Sequence, residues 1–148
     1  MLLISNSVFS GSENAVADLV IEQQAKAGIR INRVLIDPIH IKNEFGYKNG
    51  FVELENISES PIYLKSDEWS LSNDTGVPGL YTIRKNIIIE PQQAILFWCD
   101  KLNVKQQQYH TNFKLDSAGT VSLYHTNTND EIQLVDSKNY SSAQTIVQ

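Results

Sequence analysis

Cysteine is almost absent from the chain, since Cys99 is the only one in 148 residues. A single cysteine excludes an internal disulfide and any metal site built from several cysteines. The three histidines, His40, His110 and His125, show neither His-x-x-x-His nor His-x-x-Glu spacing, so the sequence contains no local zinc motif. We therefore predict a domain that needs no metal and no cofactor, and this length is sufficient to bury an apolar core without disulfides.

Basic side chains are scarce and scattered. The chain has 12 lysines and arginines against 17 acidic residues, a net charge of −5, and its only adjacent basic pair is Arg84 and Lys85. Proteins that bind nucleic acid normally gather positive charge on one face, because neutralisation of phosphates dominates their affinity. We therefore expect no tight binding to nucleic acid.

Long apolar runs are missing as well. No stretch approaches the roughly 20 apolar residues that cross a bilayer as a helix, so no transmembrane segment is expected. Residues 1–4 are apolar, but no lysine or arginine precedes them and Ser5 interrupts the run at once. The N-terminus is therefore not interpreted as a signal peptide.

Motifs of catalysis are also absent. The sequence has no Gly-x-Ser-x-Gly elbow, no phosphate-binding glycine loop and no dinucleotide fingerprint. Cys99, His110 and Asp100 have the residue types of a nucleophile, a base and an orienting group. Cys99 lies in the most hydrophobic segment, however, where burial raises the pKa of a thiol and leaves it unreactive. We predict no catalytic residues and no enzymatic activity.

Two groups of side-chain oxygens have structural explanations. Glu53 and Glu55 would share the outward face of one strand, where acidic residues favour solubility and discourage edge pairing. The oxygen-bearing residues 127–131 lack the Asp-x-Asp-x-Asp-Gly order of a calcium loop, and their asparagines suit a tight turn. We predict no metal ligands from either group, although the sequence leaves calcium binding open.

Residues 10–28 carry the helical pattern of the chain. Ser10 and Glu13 have the spacing of a capping box, and Gly28 suits a left-handed helix end. A short apolar stripe follows helical spacing at Val16, Leu19 and Val20. The pattern predicts that residues 1–28 form a helical or linker segment, either packed on an end of the following domain or partly ordered, and these alternatives are favoured over a helix that binds a partner.

After residue 28 the apolar period changes to two, which is typical of strands with one buried face. Ile29 and Ile31 share a face, but continued alternation would turn Arg33 inward. Either a bulge after Asn32 brings Val34 and Ile36 to the core, or Arg33 lies at the rim with its guanidinium in water. The sequence leaves both alternatives open.

Later apolar runs predict the remaining strands. Val52 and Leu54 would face the core, and the run at residues 95–99 would be covered on both faces. The last inward pairs are Val121 and Leu123, then Ile132 and Leu134. Turn residues at 117–119, with Gly119 at positive φ, and at 127–130 separate these runs. About eight short strands with such turns predict an all-β, antiparallel sandwich with a short N-terminal helix.

Aromatic residues in connecting segments are the candidates for contact with a partner. Phe45, Tyr47 and Tyr81 lie in or near predicted loops, and rigid amphipathic rings on loops are favourable contact groups for a protein or a sugar. Packing of the loop at residues 45–50 on its own strands is the alternative interpretation. The residues do not identify the partner.

Seven short segments have an order and spacing that resemble one family of small β-domains. They are residues 29–32, 51–56, 69–72, 95–98, 110–115, 121–124 and 135–137, followed by Tyr140 and Gln144. Together they resemble the lamin-tail domain, the immunoglobulin-like module of nuclear lamins that also occurs in bacterial, often surface-located, proteins. Arg33 departs from the pattern, since the family commonly has glutamate there. The resemblance implies an immunoglobulin-like antiparallel β-sandwich over residues 29–148, with Trp69 in its core.

The resemblance implies a role without a ligand, because sandwiches carry many unrelated functions. We expect a non-catalytic interaction or structural module in a larger bacterial surface or secreted protein, with an extracellular or cell-surface location. One alternative is an accessory domain that positions substrate for a secreted hydrolase or nuclease. Another is an intracellular scaffold, so a cytoplasmic location stays open. Bacterial members often extend further, so we expect these residues to be part of a longer protein.

The charge balance generates a prediction about nucleic acid. With a net charge of −5 and dispersed basic residues, the chain should show no submicromolar binding to duplex DNA at physiological salt. Fluorescence anisotropy with a labelled duplex, titrated at several salt concentrations, measures this. Tight binding with a steep salt slope would contradict the prediction, and substitution of Arg84 and Lys85 would then locate the contact.

Overall fold

The computed structural model describes residues 10–142, with side chains from residue 15 onward. One helix and eleven strands follow each other in this range. They are α1 (Ser10–Gly28), β1 (Ile29–Leu35), β2 (Phe51–Asn56), β3 (Ile62–Leu64), β4 (Trp69–Ser72), β5 (Tyr81–Ile83), β6 (Ile87–Ile89), β7 (Ala94–Trp98), β8 (Val104–Lys105), β9 (Tyr109–His110), β10 (Ala118–Thr126) and β11 (Ile132–Ser141).

The strands form two larger sheets and one small one. The first large sheet has the order β1-β2-β7-β9-β8, the second has the order β11-β10-β4-β5, and β3 pairs with β6. Paired strands run antiparallel except β7 and β9, which are parallel. All three sheets contribute to one apolar core, for example through Val52, Leu71 and Ile87. The predicted all-β, immunoglobulin-like sandwich with an N-terminal helix is confirmed.

A bulge in β1 decides between the two alternatives for Arg33. The register of β1 against β2 shifts between Ile31 and Arg33, so Asn32 is the extra residue. The shift returns Val34 to the core, where it is buried, and leaves Arg33 at the edge of the sheet. There the Arg33 Nε lies 2.9 Å from Glu53 Oε1. Of the two alternatives that the sequence left open, the bulge is therefore the one observed.

Strand β2 is covered on both faces, which corrects the interpretation of Glu53. Val52 and Leu54 face the core as predicted, but Glu53 is only 8% exposed. Its carboxylate accepts hydrogen bonds from Asn32 Nδ2 (2.7 Å) and from the Arg33 guanidinium. Glu53 is thus a paired acid within the sheet and not an outward residue that favours solubility, because a buried carboxylate requires partners.

A second, smaller apolar cluster lies on the other face of the first large sheet. It consists of Leu35, Phe51 and Trp98, with Ile41 of the following loop packed against it. The Phe51 and Trp98 rings meet edge to face, with their centroids 5.2 Å apart. Strand β7 is therefore covered on both faces at its C-terminal end.

The N-terminal end of β7 differs from the prediction of a strand covered on both faces throughout. Ala94 is exposed, and Ile95 and Leu96 are half-buried, whereas Phe97 and Trp98 are fully buried. The cluster that covers the outer face of the sheet is formed at the Trp98 end. The continuous apolar run therefore predicted more burial than the first residues of β7 have.

Helix α1 has the predicted bounds but ends differently. Gly28 passes directly into β1 and its φ is not positive, so it is not a left-handed stop. A Cβ at Gly28 would lie 3.0 Å from Ile62 Cγ2 and 3.1 Å from Ser58 Oγ, so the glycine allows close approach of the helix end to the sandwich. The predicted capping side chains of Ser10 and Glu13 lie outside the described side chains.

The apolar stripe of α1 does not pack on the sandwich. Val16, Leu19 and Val20 are all exposed, so packing of this stripe on the domain, one of the alternatives that the sequence left open, is not what the structure shows. The helix is instead fixed at its C-terminal end, where Ala25 is fully buried and Lys26 Nζ donates to Gln133 Oε1 at 2.6 Å. Only the last turns of the helix therefore join the core.

In the last hairpin the sequence also predicted inward-facing residues that the structure shows to be exposed. Ile132 and Leu134 are 49% and 58% exposed, so they are not core residues. In the β10–β11 pairing Ile132 lies opposite Thr126 and Leu134 opposite Tyr124, and directly paired residues share a face. That face is the one opposite to the buried Leu123. The predicted inward pair of Val121 and Leu123 is confirmed, and the pair on β11 is wrong.

The two predicted turns around β10 have different outcomes. The turn at residues 127–130 is present, with Asp130 in the left-handed region at φ 60°. The predicted turn at residues 117–119 is wrong, because Ala118 already begins β10 and Gly119 does not have positive φ. A Cβ at Gly119 would lie 3.0 Å from the Tyr140 hydroxyl, so this glycine makes room for a packed ring.

Strands β1 and β11 end their respective sheets and are joined by a side chain. The backbone N–H of Ile31 donates to Asp136 Oδ2 at 2.8 Å. This bond lies at the bulge of β1, where the ladder to β2 is interrupted. The two large sheets are therefore connected along this side.

Within residues 10–142 no helix combines the length and the apolar composition that a bilayer crossing requires.

The burial of Trp98 generates a test of the architecture. Trp98→Ala removes a fully buried indole and should cost about 3–5 kcal/mol, a large part of the 5–15 kcal/mol that stabilises a typical domain. Tyr47→Ala, whose ring is 64% exposed, should leave the melting temperature nearly unchanged. Thermal unfolding followed by circular dichroism compares the two. Small and equal shifts would contradict the packing of β7.

Candidate interaction site

The loop at residues 36–50, here called the β1–β2 loop, presents two aromatic rings at a fixed tip. Asn43 Oδ1 accepts from the backbone N–H groups of Phe45 (2.9 Å) and Tyr47 (3.0 Å). The Asn43 N–H donates to the Tyr47 carbonyl at 2.8 Å, and Gly46 takes φ +87°, which glycine adopts without strain. Phe45 is 47% exposed and Tyr47 64% exposed. The tip is therefore a compact turn with its rings at the surface.

A buried histidine holds this loop against the sheet. His110 in β9 is fully buried, with Nε2 2.8 Å from Glu44 Oε1 and Nδ1 2.7 Å from Asp100 Oδ2. Both carboxylates are themselves only 6% exposed. The arrangement is fully satisfied when both ring nitrogens carry hydrogen, since ionised carboxylates only accept. His110 thus joins the β1–β2 loop to the end of β7.

Gln108 completes the connection between the loop and the sheet. Its Oε1 accepts from the Glu44 N–H at 3.0 Å and from Trp98 Nε1 at 2.9 Å. Its own backbone N–H donates to Glu44 Oε2 at 2.9 Å. The Phe45 ring lies with its centroid 5.3 Å from that of His110. The loop tip is therefore braced through both the main chain and the side chain of Glu44.

The charge of Glu44 is stabilised by this network. Burial favours the neutral acid, but hydrogen bonds from the Gln108 N–H, from its own N–H and from His110 outweigh it and lower the pKa of Glu44 below its ordinary 4.5. An ionised Glu44 is the form that the surrounding donors require. The loop and β9 are thus connected by charge-assisted hydrogen bonds, which are stronger than neutral ones.

The residues considered for catalysis do not form a nucleophilic pair. The Cys99 thiol donates to the Phe97 carbonyl at 3.6 Å, whereas the two ring nitrogens of His110 both face carboxylates. Burial raises the pKa of Cys99 to about 12, so the thiolate is disfavoured. Cys99 is therefore a core residue, and His110 is part of the hydrogen-bond network that holds the β1–β2 loop.

The oxygen-bearing turn at residues 127–131, considered above for calcium, is held by hydrogen bonds of its own. No group of three His, Cys, Asp or Glu side chains in residues 15–142 has the arrangement of a metal site. In the turn at residues 127–130, Asn127 Oδ1 accepts from the N–H groups of Asn129 (2.8 Å) and Glu131 (3.0 Å). Asn127 Nδ2 donates to the Glu131 carboxylate at 2.8 Å. This turn is held by its own hydrogen bonds.

Of the three candidate contact residues, Phe45 and Tyr47 share one exposed tip and Tyr81 does not join them. Tyr81 is 8% exposed and packs edge to face on Phe97, with ring centroids 6.3 Å apart. Burial raises the pKa of its hydroxyl to about 12. Tyr81 therefore contributes to the core between the sheets.

Sequence reasoning missed the residues that hold the tip. Asn43 precedes Gly46 by three residues, a local spacing that suits a side-chain-capped turn. Glu44 gave no such signal, because its partners Gln108 and His110 lie 64 and 66 residues away along the chain. Only the folded arrangement brings them together.

Comparison with protein-family models identifies a match over most of the chain. The sequence model of the family described as Lamin Tail Domain matches residues 22–147, which is most of the chain and includes every strand. No curated protein matches the chain.

The His110 network generates a stability prediction. His110→Ala would leave the buried Glu44 and Asp100 carboxylates without their common donor, and should cost about 3–5 kcal/mol. The matched control is His40→Ala, because His40 is exposed and its removal should have little effect. Urea unfolding measures both free energies. Equal small losses would show that the network contributes nothing to stability.

Acid provides an independent check of the same network. Because the folded-state pKa of Glu44 lies below 4.5, its stabilisation is fully present above the ordinary value and is lost as the pH falls through the lowered pKa. Glu44→Gln removes this contribution, so the variant should lose less stability than the original chain over that acidic range. An identical pH dependence for both chains would contradict the assignment.

Proposed function

The chain belongs to the lamin-tail domain family, and from this premise we propose that it is a non-catalytic interaction module whose β1–β2 loop contacts a protein partner. We further propose that it acts within a larger bacterial surface or secreted protein, at the cell surface or outside the cell. The location and the bacterial context rest on the resemblance to surface-located family members. The contact site rests on the loop itself.

The proposal rests on the exposed aromatic rings at the tip of the β1–β2 loop. Phe45 and Tyr47 present large rings to solvent, and tyrosine and related aromatics dominate the energetics of protein interfaces. Asn43 and His110 fix the turn beneath them before any partner arrives. Fixing a loop in its bound form lowers the entropic cost of association. The tip is thus suited to binding.

The chemistry of the buried groups supports a non-catalytic role. His110 uses both ring nitrogens to hold carboxylates, and the raised pKa of Cys99 disfavours its thiolate. A general base needs an available nitrogen near a substrate, and a nucleophile needs an activated form. Neither requirement is met at this position.

A second function is favoured by the same two rings. Exposed aromatic faces also stack on sugar rings, so the tip would suit an accessory domain that positions a polysaccharide for a hydrolase carried elsewhere in the same protein. This alternative shares the binding surface of the first and differs in the ligand. One experiment can therefore distinguish them.

The proposal predicts a partner that is held through the tip. A photo-crosslinking amino acid placed at Tyr47 should capture a protein from the cell-envelope fraction of the source bacterium, and the same amino acid at the exposed Val77 should not. The captured protein, once purified, should bind the Phe45→Ser, Tyr47→Ser double variant roughly 10- to 100-fold more weakly by calorimetry. The melting temperature of the variant should be nearly unchanged.

The outcomes separate the alternatives. Equal capture at Tyr47 and Val77, or unchanged affinity of the double variant, would overturn the assignment of the tip. Retention on purified cell-wall polysaccharide that is lost with the double variant would favour the accessory domain. Turnover of ester, phosphodiester or glycoside substrates that disappears with Cys99→Ala or His110→Ala would refute the non-catalytic role.

A further inference from the structure

The β1–β2 loop ends in an Asn-Gly pair, Asn49 and Gly50, which is the only such pair in the chain. Asparagine deamidates when the backbone nitrogen of the next residue attacks its side-chain carbonyl carbon, and a glycine at that position has no Cβ to obstruct the attack. Every other asparagine of the chain is followed by a residue with a side chain. Local chemistry therefore favours deamidation at Asn49 over the other asparagines.

The groups that would react at this pair are accessible in the folded chain. Asn49 and Gly50 are both half-buried, and both line a cavity of about 190 Å³. The Gly50 carbonyl accepts from the Cys99 N–H at 2.8 Å, whereas the Gly50 N–H has no hydrogen-bond partner among the described residues. The nitrogen that must attack is therefore not engaged in the fold.

The side chain of Asn49 lies beside one of the carboxylates that hold His110. Its Nδ2 is 3.4 Å from Asp100 Oδ2, and the same oxygen is 2.7 Å from His110 Nδ1. Deamidation replaces this NH₂ donor by an oxygen that only accepts once the new acid is ionised. Two carboxylates at this separation repel each other, and the 6% exposure of Asp100 leaves little water to screen them.

We propose that Asn49 is a site of deamidation, and that its conversion releases the β1–β2 loop from the sheet. The Gly50 nitrogen loses its proton and attacks Asn49 Cγ. A C–N bond forms, the Cγ–Nδ2 bond breaks, and the amide leaves as ammonia with that proton. Water then opens the cyclic imide at either carbonyl, which gives aspartate or isoaspartate. The reaction consumes water and releases ammonia, and it needs no oxidant, reductant or cofactor.

The isoaspartate product also alters the main chain where little space is available. Its backbone runs through the former side-chain carbonyl, so an extra carbon enters the chain just before Gly50. A Cβ at Gly50 would already lie 2.9 Å from the Ile36 carbonyl oxygen and 3.0 Å from that of Leu35. Phe51, the next residue, pairs with Trp98 in the sheet. Both products therefore oppose the packing of the loop over Trp98, one through charge and one through chain length.

Peptide mapping by mass spectrometry tests the site in the unaltered, folded chain. After prolonged incubation at mildly alkaline pH, Asn49 should be converted to a mixture of aspartate and isoaspartate. Asn129, which is exposed and followed by Asp130, should remain largely an amide. Asn49→Gln should show no conversion at this position over the same time, because glutamine has to form a larger ring. Conversion of Asn49 in urea but not in the folded chain would overturn the proposal.

Hydrogen exchange followed by NMR tests the consequence for the loop. The backbone N–H groups of Glu44 and Gln108 donate across the contact between the loop and β9, so their exchange reports its opening. In the Asn49→Asp variant both should exchange roughly tenfold faster than in the original chain, because the added charge repels Asp100. Asn129→Asp adds the same charge at an exposed turn and should leave both rates unchanged.

The two measurements decide the two parts of the proposal. Unchanged exchange at Glu44 and Gln108 in Asn49→Asp would overturn the release of the loop, and an intact Asn49 in the folded chain would overturn the reaction. Mapping uses the unaltered chain, so it is decisive even if a variant fails to fold. Neither measurement involves a partner, so failure here would leave the proposed function of the loop tip unaffected.

Discussion

The position of the β1–β2 loop depends on one buried imidazole between two carboxylates. His110 binds Glu44 and Asp100 at 2.8 and 2.7 Å, and each acid comes from a different connection of the first large sheet. Removing these charges from water is costly, and the cost is offset only when every donor and acceptor is paired. The loop is therefore fixed to the sheet by geometry that tolerates little displacement, and the covering of Trp98 by this loop depends on it.

Alternation of side chains predicted the strands well but not always which face was buried. Val121 and Leu123 were correctly placed, whereas Ile132 and Leu134 fit the same period and point outward. A period of two says that successive residues face opposite sides, and it does not say which side meets the core. On an edge strand such as β11 the outer residues can be apolar without being buried. Pairing with β10 decides the face, and that pairing is absent from a local pattern.

The polar sites were beyond prediction for a different reason. Glu53 resembles any outward strand residue in sequence, and only the bulge that brings Arg33 across from it makes a buried acid acceptable. Glu44 and His110 are 66 residues apart. The rings of Phe45 and Tyr47 could be identified as exposed because loop position is a local property, while the burial of Tyr81 follows from a sheet that covers it.

The bond between the Ile31 N–H and the Asp136 carboxylate has a consequence for crowded settings. A terminal strand with free backbone groups can recruit a strand from a neighbouring molecule, which begins aggregation or exchange between copies. Here the irregular position of β1 already has an intramolecular acceptor, and the bulge twists the ladder at that point. This edge of the sandwich is therefore a poor template for strand pairing between neighbouring copies, even when many copies lie close together.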